Sequence, residues 1–362
     1  MYRIRKIIIF YTGLLLCMAC TPKFQKETYL QIAMQEVDEH PEEALTFLEE
    51  IPYPRYMDHD NYMRYIVTLT QARYMNDLDI TGDTLILEAQ RYFAGKDNPE
   101  MAARSSYYAA AYWDEKEMEE KALEYSFLAN YYSGQARNNL FQAKSMHWIG
   151  SIYYDRDILD SARVYYHQAE ELYNTIATTE IQQLSIKYML GRTYRELEQY
   201  DLAFNYFNEG LDVSRNLGNQ LYEGRFMYCK GIIFREKKEF QLAKEHFNLA
   251  LLKKIDAEDS LRIYLNYAKL YKMNNQSDST KYYLDLVKNR VEELSFPYNR
   301  KSAYKELALY YQSEGNSPEV EHYLRLMTKS YIDIFSAYGV HPKYKQSTSY
   351  AKRRLYKKQT KI

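Results

Sequence analysis

Apolar residues recur along this chain three and four apart, in segments broken by short polar turns. Near the start, Tyr29 to Val37 and Glu42 to Ile51 flank His40-Pro41, while Tyr62 to Met75 and Leu85 to Phe93 flank Gly82-Asp83. Each pair reads as helix, turn, helix. Further along, a second level of order appears. Gly150, Tyr153, Ala162, Tyr166 and Ala169 stand at offsets of 0, 3, 12, 16 and 19. Gly191, Tyr194, Ala203, Phe207 and Gly210 repeat those offsets, as do Gly231, Phe234, Ala243, Phe247 and Ala250. Two helices cross closely only where side chains are small. Weaker copies extend the series: Ala110, Trp113, Ala122 and Ala129 upstream, then Ala268, Tyr271 and Leu284, and Ala308, Tyr311 and Leu324 downstream. The leading residues, 110, 150, 191, 231, 268 and 308, are 37 to 41 apart.

Composition sharpens this picture. With only 12 Gly and 8 Pro in 362 residues, turns are few and nearly everything can be helical. Pro52, Pro54, Pro99, Pro297 and Pro318 fall between expected helices, where a ring without an N–H does no harm. The 41 tyrosines carry hydroxyls that need water or a partner, which suits thin helical layers with much surface.

The repeated offsets resemble those of the tetratricopeptide repeat family, with small residues at positions 8, 20 and 27 and aromatics at 11 and 24. The resemblance spans Tyr29 to Phe335 and is carried by the central third. It implies an all-α, right-handed superhelical solenoid of about eight hairpins with a period of about 40 residues. Since the internal offsets match the 34-residue family pattern, the extra residues are expected in the second helix or in the link to the next repeat. The family places positions 2, 5, 9 and 12 of each first helix in a concave groove. Here those positions include Arg104 and Tyr107; Lys144, His147 and Tyr154; Tyr188, Arg192 and Arg195; Arg225, Tyr228 and Arg235; and Arg262, Lys269 and Lys272. Asp114 is the one acid among them. Arginine forks and tyrosine faces suit carboxylates, extended peptide backbone and sugar rings. A solvated face of paired charges is the plainer reading of the same residues, with Arg195-Glu196 and Arg235-Glu236 as examples.

The chain's termini are basic. Arg3, Arg5 and Lys6 precede the apolar run Ile7 to Ala19, too short to span a bilayer and built like a secretory signal. Leu16-Cys17-Met18-Ala19-Cys20 resembles a bacterial lipobox, with Cys17 where the pattern carries Leu, which implies lipidation of Cys20. Residues 1–19 are thus expected to be a signal peptide, 20–28 a linker, 29–335 the array and 336–362 a basic tail. The residues after Cys20, Thr-Pro-Lys-Phe-Gln-Lys, lack an acidic export cluster, so the expected location is the cell envelope, facing the periplasm. The exported body keeps only Cys229, which excludes an internal disulfide. Eight bases and no acid lie from Lys343 onward, leaving 37 bases against 49 acids in the body. That acidic balance speaks against a nucleic-acid partner.

No HExxH, GxGxxG, GxxxxGK[ST] or GxSxG pattern occurs, and the seven histidines are scattered. No catalysis, cofactor or metal is expected. The leading expectation is a lipid-anchored scaffold that binds a protein or peptide, acidic in character, in its groove. The chain also looks like envelope tetratricopeptide proteins of Gram-negative bacteria, many of which continue into a membrane helix and a regulatory helix-turn-helix. A second reading is therefore the sensory or regulatory module of a signalling system lacking its membrane and DNA-binding parts, and a third is a glycan-binding lipoprotein.

Overall fold

A computed structural model describes residues 22–337, apart from 117, 178, 295 and 296. The expected signal peptide, Cys20 and the basic run from Lys343 lie outside the described residues. Sixteen α-helices, and no strand, occur among the described residues. They follow one another as eight pairs: α1 (Pro22–Glu36) and α2 (Pro41–Glu49), α3 (His59–Met75) and α4 (Ile86–Ala94), α5 (Pro99–Glu115) and α6 (Glu119–Ala136), α7 (Asn139–Asp155) and α8 (Leu159–Tyr173). The series continues with α9 (Glu180–Glu196) and α10 (Tyr200–Asn216), α11 (Gln220–Glu236) and α12 (Phe240–Leu251), α13 (Ala257–Met273) and α14 (Ser277–Lys288), α15 (Pro297–Ser313) and α16 (Ser317–Ala337). No described helix is long and apolar enough to cross a membrane.

The segment expected to be a linker, 20–28, is helical from Pro22 onward. Proline's fixed φ suits a first helical position, where its missing N–H would have no partner anyway. The last helix likewise runs to Ala337, just past the expected end of the array. The chain divides into two compact units, Met1–Ile149 and Gly150–Ile362, and the division falls within α7. In each unit, second helices pack on the first helices before and after them, and successive first helices touch one another, as α3 touches α1 and α5, and α11 touches α9 and α13.

The repeat offsets acquire a physical meaning here. Ala110, Gly150, Gly191, Gly231, Ala268 and Ala308 are each the twelfth residue of a 17-residue first helix. Residues in excess of the family period therefore include a backward extension of the first helix, which a short turn, such as 217–219, joins to the repeat before. Side-chain caps fix several of these starts: Asn98, Asn219 and Asp256 accept from the backbone N–H three residues on. At the other end the hairpin turns on a left-handed residue two past the helix, at Asp157, Glu198, Lys238, Asn275 and Gly315.

The small residues sit at the crossings. A Cβ on Gly150 would lie 2.7 Å from Tyr166 Cδ1, one on Gly191 2.6 Å from Phe207 Cδ1, and one on Gly231 2.6 Å from Phe247 Cδ1. Tyr166, Phe207 and Phe247 are fully buried, as are Ala162, Ala203 and Ala243. Beside four of the crossings the aromatic at offset 3 stacks on one twelve residues further: Tyr153 on Tyr165, Tyr194 on Tyr206, Tyr271 on Tyr283, and Tyr311 on Tyr323, with planes within 15° of parallel. Offset stacking of this kind adds about 0.5–1.5 kcal/mol per pair beyond burial.

Candidate functional site

In the second unit, the first helices of four successive hairpins enclose a cavity of about 230 Å3. Arg192 and Arg195 reach it from α9, Tyr228 and Arg235 from α11, Arg262 and Lys269 from α13, and Asn299 and Ser302 from α15. Spacings of three and seven residues put these side chains on one face of each helix. The apolar part of the wall includes Ile232, Leu261, Leu265 and Leu294, all buried.

Five cations and one acid, Glu196, line this space. Partial pairing holds the cations apart. Arg195 binds Glu196 and donates to Glu236 Oε1 at 3.3 Å, and Arg235 donates to the same oxygen at 3.2 Å. Arg195 Nε and Glu236 Oε2 are buried without a partner among the described residues. Asn266 couples two helices: its Oδ1 accepts from Arg235, and its amide donates to the Tyr228 hydroxyl at 2.7 Å. Arg192 lies over two rings, 4.8 Å from Tyr154 and 5.3 Å from Tyr188, and Arg262 lies 5.3 Å from Tyr228. Such contacts hold guanidinium planes in place, and Arg262 also donates to Asp259 Oδ1 at 2.9 Å. Lys269 donates to Ser302 Oγ at 3.1 Å. Burial draws its pKa down to about 8; Glu306 opposes the shift, while Arg235, Lys305 and Arg195 add to it. The arrangement is polar and holds more cations than acids, and a carboxylate supplied from outside is its chemical complement.

Six of the residues singled out from the sequence thus share one cavity: Arg192, Arg195, Tyr228, Arg235, Arg262 and Lys269. Tyr154 and Tyr188 stand behind them as ring platforms for Arg192. Arg225 is tied up at the next level, donating to Asp259 at 2.7 Å and Asp256 at 3.2 Å, and Lys272 pairs with Glu306 at 3.4 Å. The four in the first unit do a different job. Arg104 donates to Asp38 at 3.0 Å and to Gln71 at 2.9 Å and lies over Phe141, so it locks three hairpin elements together. Tyr107 packs edge-on against Phe141 and Trp148. Lys144 lies near the Phe141 ring, and burial lowers its pKa against the pull of Asp38. Burial takes His147 down to about 4, so it is neutral at pH 7 and adds no positive charge.

Sequence reasoning passed over Asn266, Asn299 and Ser302. The signal for Asn266 was present, because it falls four residues after Arg262 and three before Lys269 on the same face. Cys229 also borders the cavity; burial raises its pKa, so it stays a protonated thiol. Among the described residues no group of three or more His, Cys, Asp or Glu could hold a metal ion.

No protein-family model and no curated protein matches the chain. Solved structures do. NprR in complex with its cognate peptide NprX aligns with a TM-score of 0.67 at 14% identity, over 91% of this chain and 92% of that one. The apo form of the quorum sensor NprR from B. thuringiensis gives 0.59 at 15% identity, over 84% of this chain and 98% of that one. The Rap conjugation gene regulator of the plasmid pLS20, in complex with a peptide, gives 0.57 at 16% identity, over 94% and 95%. The fold is that of tetratricopeptide-like repeat proteins. Within that fold, the first helices are the layer that carries the cationic cavity.

Proposed function

We propose that this chain is a non-catalytic tetratricopeptide-type scaffold, held in the cell envelope by lipid on Cys20 and facing the periplasm, that binds an acidic protein or peptide segment in the cavity between α9 and α15. The observation that carries this reading is the local excess of positive charge: five half-buried cations share the cavity, while Glu196, Glu236 and Asp259 are the acids that pair with Arg195, Arg235 and Arg262. Holding like charges together in a half-buried site opposes folding, so a site that keeps them gains when a carboxylate enters. Two of the proteins that share the fold were solved with peptides in place, which supports a peptide as the occupant.

A second reading is a sensory module whose peptide occupancy is passed to another protein. A quorum sensor and a conjugation gene regulator among the structural neighbours favour it. The two readings share the binding step; only the sensory module hands occupancy on to a further protein. Binding is tested by fluorescence anisotropy with peptides of equal length in which Glu and Asp are exchanged for Gln and Asn. Acidic peptides should bind at least tenfold more tightly, and Arg192→Gln with Arg262→Gln should erase the preference. Equal affinity for both series would sink the acidic-ligand reading. Capture of a further protein only in the presence of an acidic peptide would favour the sensory module.

A further inference from the structure

The connection between α2 and α3 carries the most exposed aromatic rings among the described residues: Tyr53 is 75% and Tyr56 84% accessible. Pro52 and Arg55 beside them are also exposed. Tyr53 holds a left-handed φ of 50° immediately before Pro54, a backbone state that bulky residues rarely adopt. The two rings meet edge to face with centroids 6.1 Å apart. Lys26 braces the loop, its ammonium donating to the Tyr53 carbonyl at 3.3 Å. That brace fixes the loop beside the first turns of α1, which begins at Pro22, two residues after Cys20. Only Thr21 stands between Cys20 and Pro22, so a lipid on that cysteine would tether the chain next to the start of α1.

We propose that Tyr53, Arg55 and Tyr56 form a lipid-interface contact, seated in the headgroup layer of the membrane that holds the Cys20 lipid. This rests on the lipid-anchor part of the preceding proposal. A tyrosine ring has an apolar body and a polar tip, which is why such rings collect where hydrocarbon meets water, and arginine reaches phosphate from the same depth. Glu49 and Glu50 are exposed just before the loop, so the surface is not a basic patch that needs anionic lipid. The contact acts mainly through its rings. The acyl chains supply affinity, and the loop supplies orientation.

The test is hydroxyl-radical footprinting of the full chain, tethered by an N-terminal histidine tag to vesicles of phosphatidylethanolamine and phosphatidylglycerol containing a nickel-chelating lipid. Oxidation of Tyr53 and Tyr56 should fall at least threefold relative to the free chain. Met118 is the internal control, exposed at the turn between α5 and α6, at the far end of a helix about 25 Å long. Its rate should not change. Unchanged rates at Tyr53 and Tyr56 on vesicle-bound chain overturn the proposal, and so does equal shielding of Met118. Lipidation is read separately, from the mass of the N-terminal peptide of chain extracted from cell membranes. An unmodified Cys20 retires the anchor reading, while shielding on the tethered vesicles still supports the loop contact.

Discussion

Replacing Lys269 with methionine separates what the cavity does for binding from what it does for folding. Burial brings the ammonium from its ordinary 10.5 to about 8. Each pKa unit is worth about 1.4 kcal/mol, so holding the proton at pH 7 opposes folding by up to about 3 kcal/mol. Lys269→Met removes that term and keeps the chain length, but Ser302 loses a hydrogen bond worth about 1 kcal/mol. The variant should therefore be about 2 kcal/mol more stable than wild type at pH 7. The sign can be followed with pH. The folded pKa lies below the unfolded one, so between about 8 and 10.5 the unfolded chain holds the proton that the folded chain has released. Wild type gains stability as pH rises through that window, and the advantage of Lys269→Met shrinks. Urea midpoints followed by circular dichroism at pH 7, 8.5 and 10 measure this difference, with other titrations cancelling between the two proteins. The same variant should bind acidic peptides at least tenfold more weakly at pH 7. A variant less stable than wild type at pH 7, or an advantage that grows with pH, refutes the reasoning.

Other substitutions probe the frame around the cavity. Gly191→Ala forces a Cβ against the buried Phe207 ring and should lower stability by about 1–2 kcal/mol, despite alanine's better helix propensity. Adding Phe207→Leu should recover part of that loss in a double-mutant cycle, and strict additivity would show that the two helices do not cross closely there. Lys238→Gly should stabilise the chain by about 1 kcal/mol in thermal melts, because Lys238 is exposed and held at a φ of 62° where glycine carries no steric penalty. Reversing Arg192, Arg195 and Arg235 to Glu should abolish capture of acidic peptides; capture unchanged in a folded triple variant would dispose of the cationic cavity. Asp38→Ala removes a partner of Arg104 and should cost about 1–3 kcal/mol of stability while leaving peptide affinity unaltered, since that pair lies in the first unit.

The hairpins were legible because their demands are local. A glycine or alanine with an aromatic sixteen residues later is a crossing written in one stretch of chain, and Gly150, Gly191 and Gly231 all lie where the offsets placed them. The facing of Arg192, Arg195, Arg235, Arg262 and Lys269 into one space followed from the same phase. What stayed hidden were partners far away in sequence. Arg104 reads as a groove cation until Asp38, 66 residues earlier, is found against it, and Arg225 likewise until Asp256 and Asp259 close on it. Nor does residue type disclose that burial leaves His147 neutral. The helical start at Pro22 was missed because nothing apolar marks the turn before Tyr29, whereas proline at a first helical position is a signal of backbone rather than of packing.

A cavity whose walls come one helix at a time from α9, α11, α13 and α15 spreads its recognition over more than a hundred residues of sequence. Each wall belongs to a hairpin that packs mainly on its neighbours, so loss, gain or exchange of a single hairpin would rewrite one side of the binding chemistry and leave the others standing. Preference for a ligand can then shift in steps of one helix, without the chain ever having to invent a new fold.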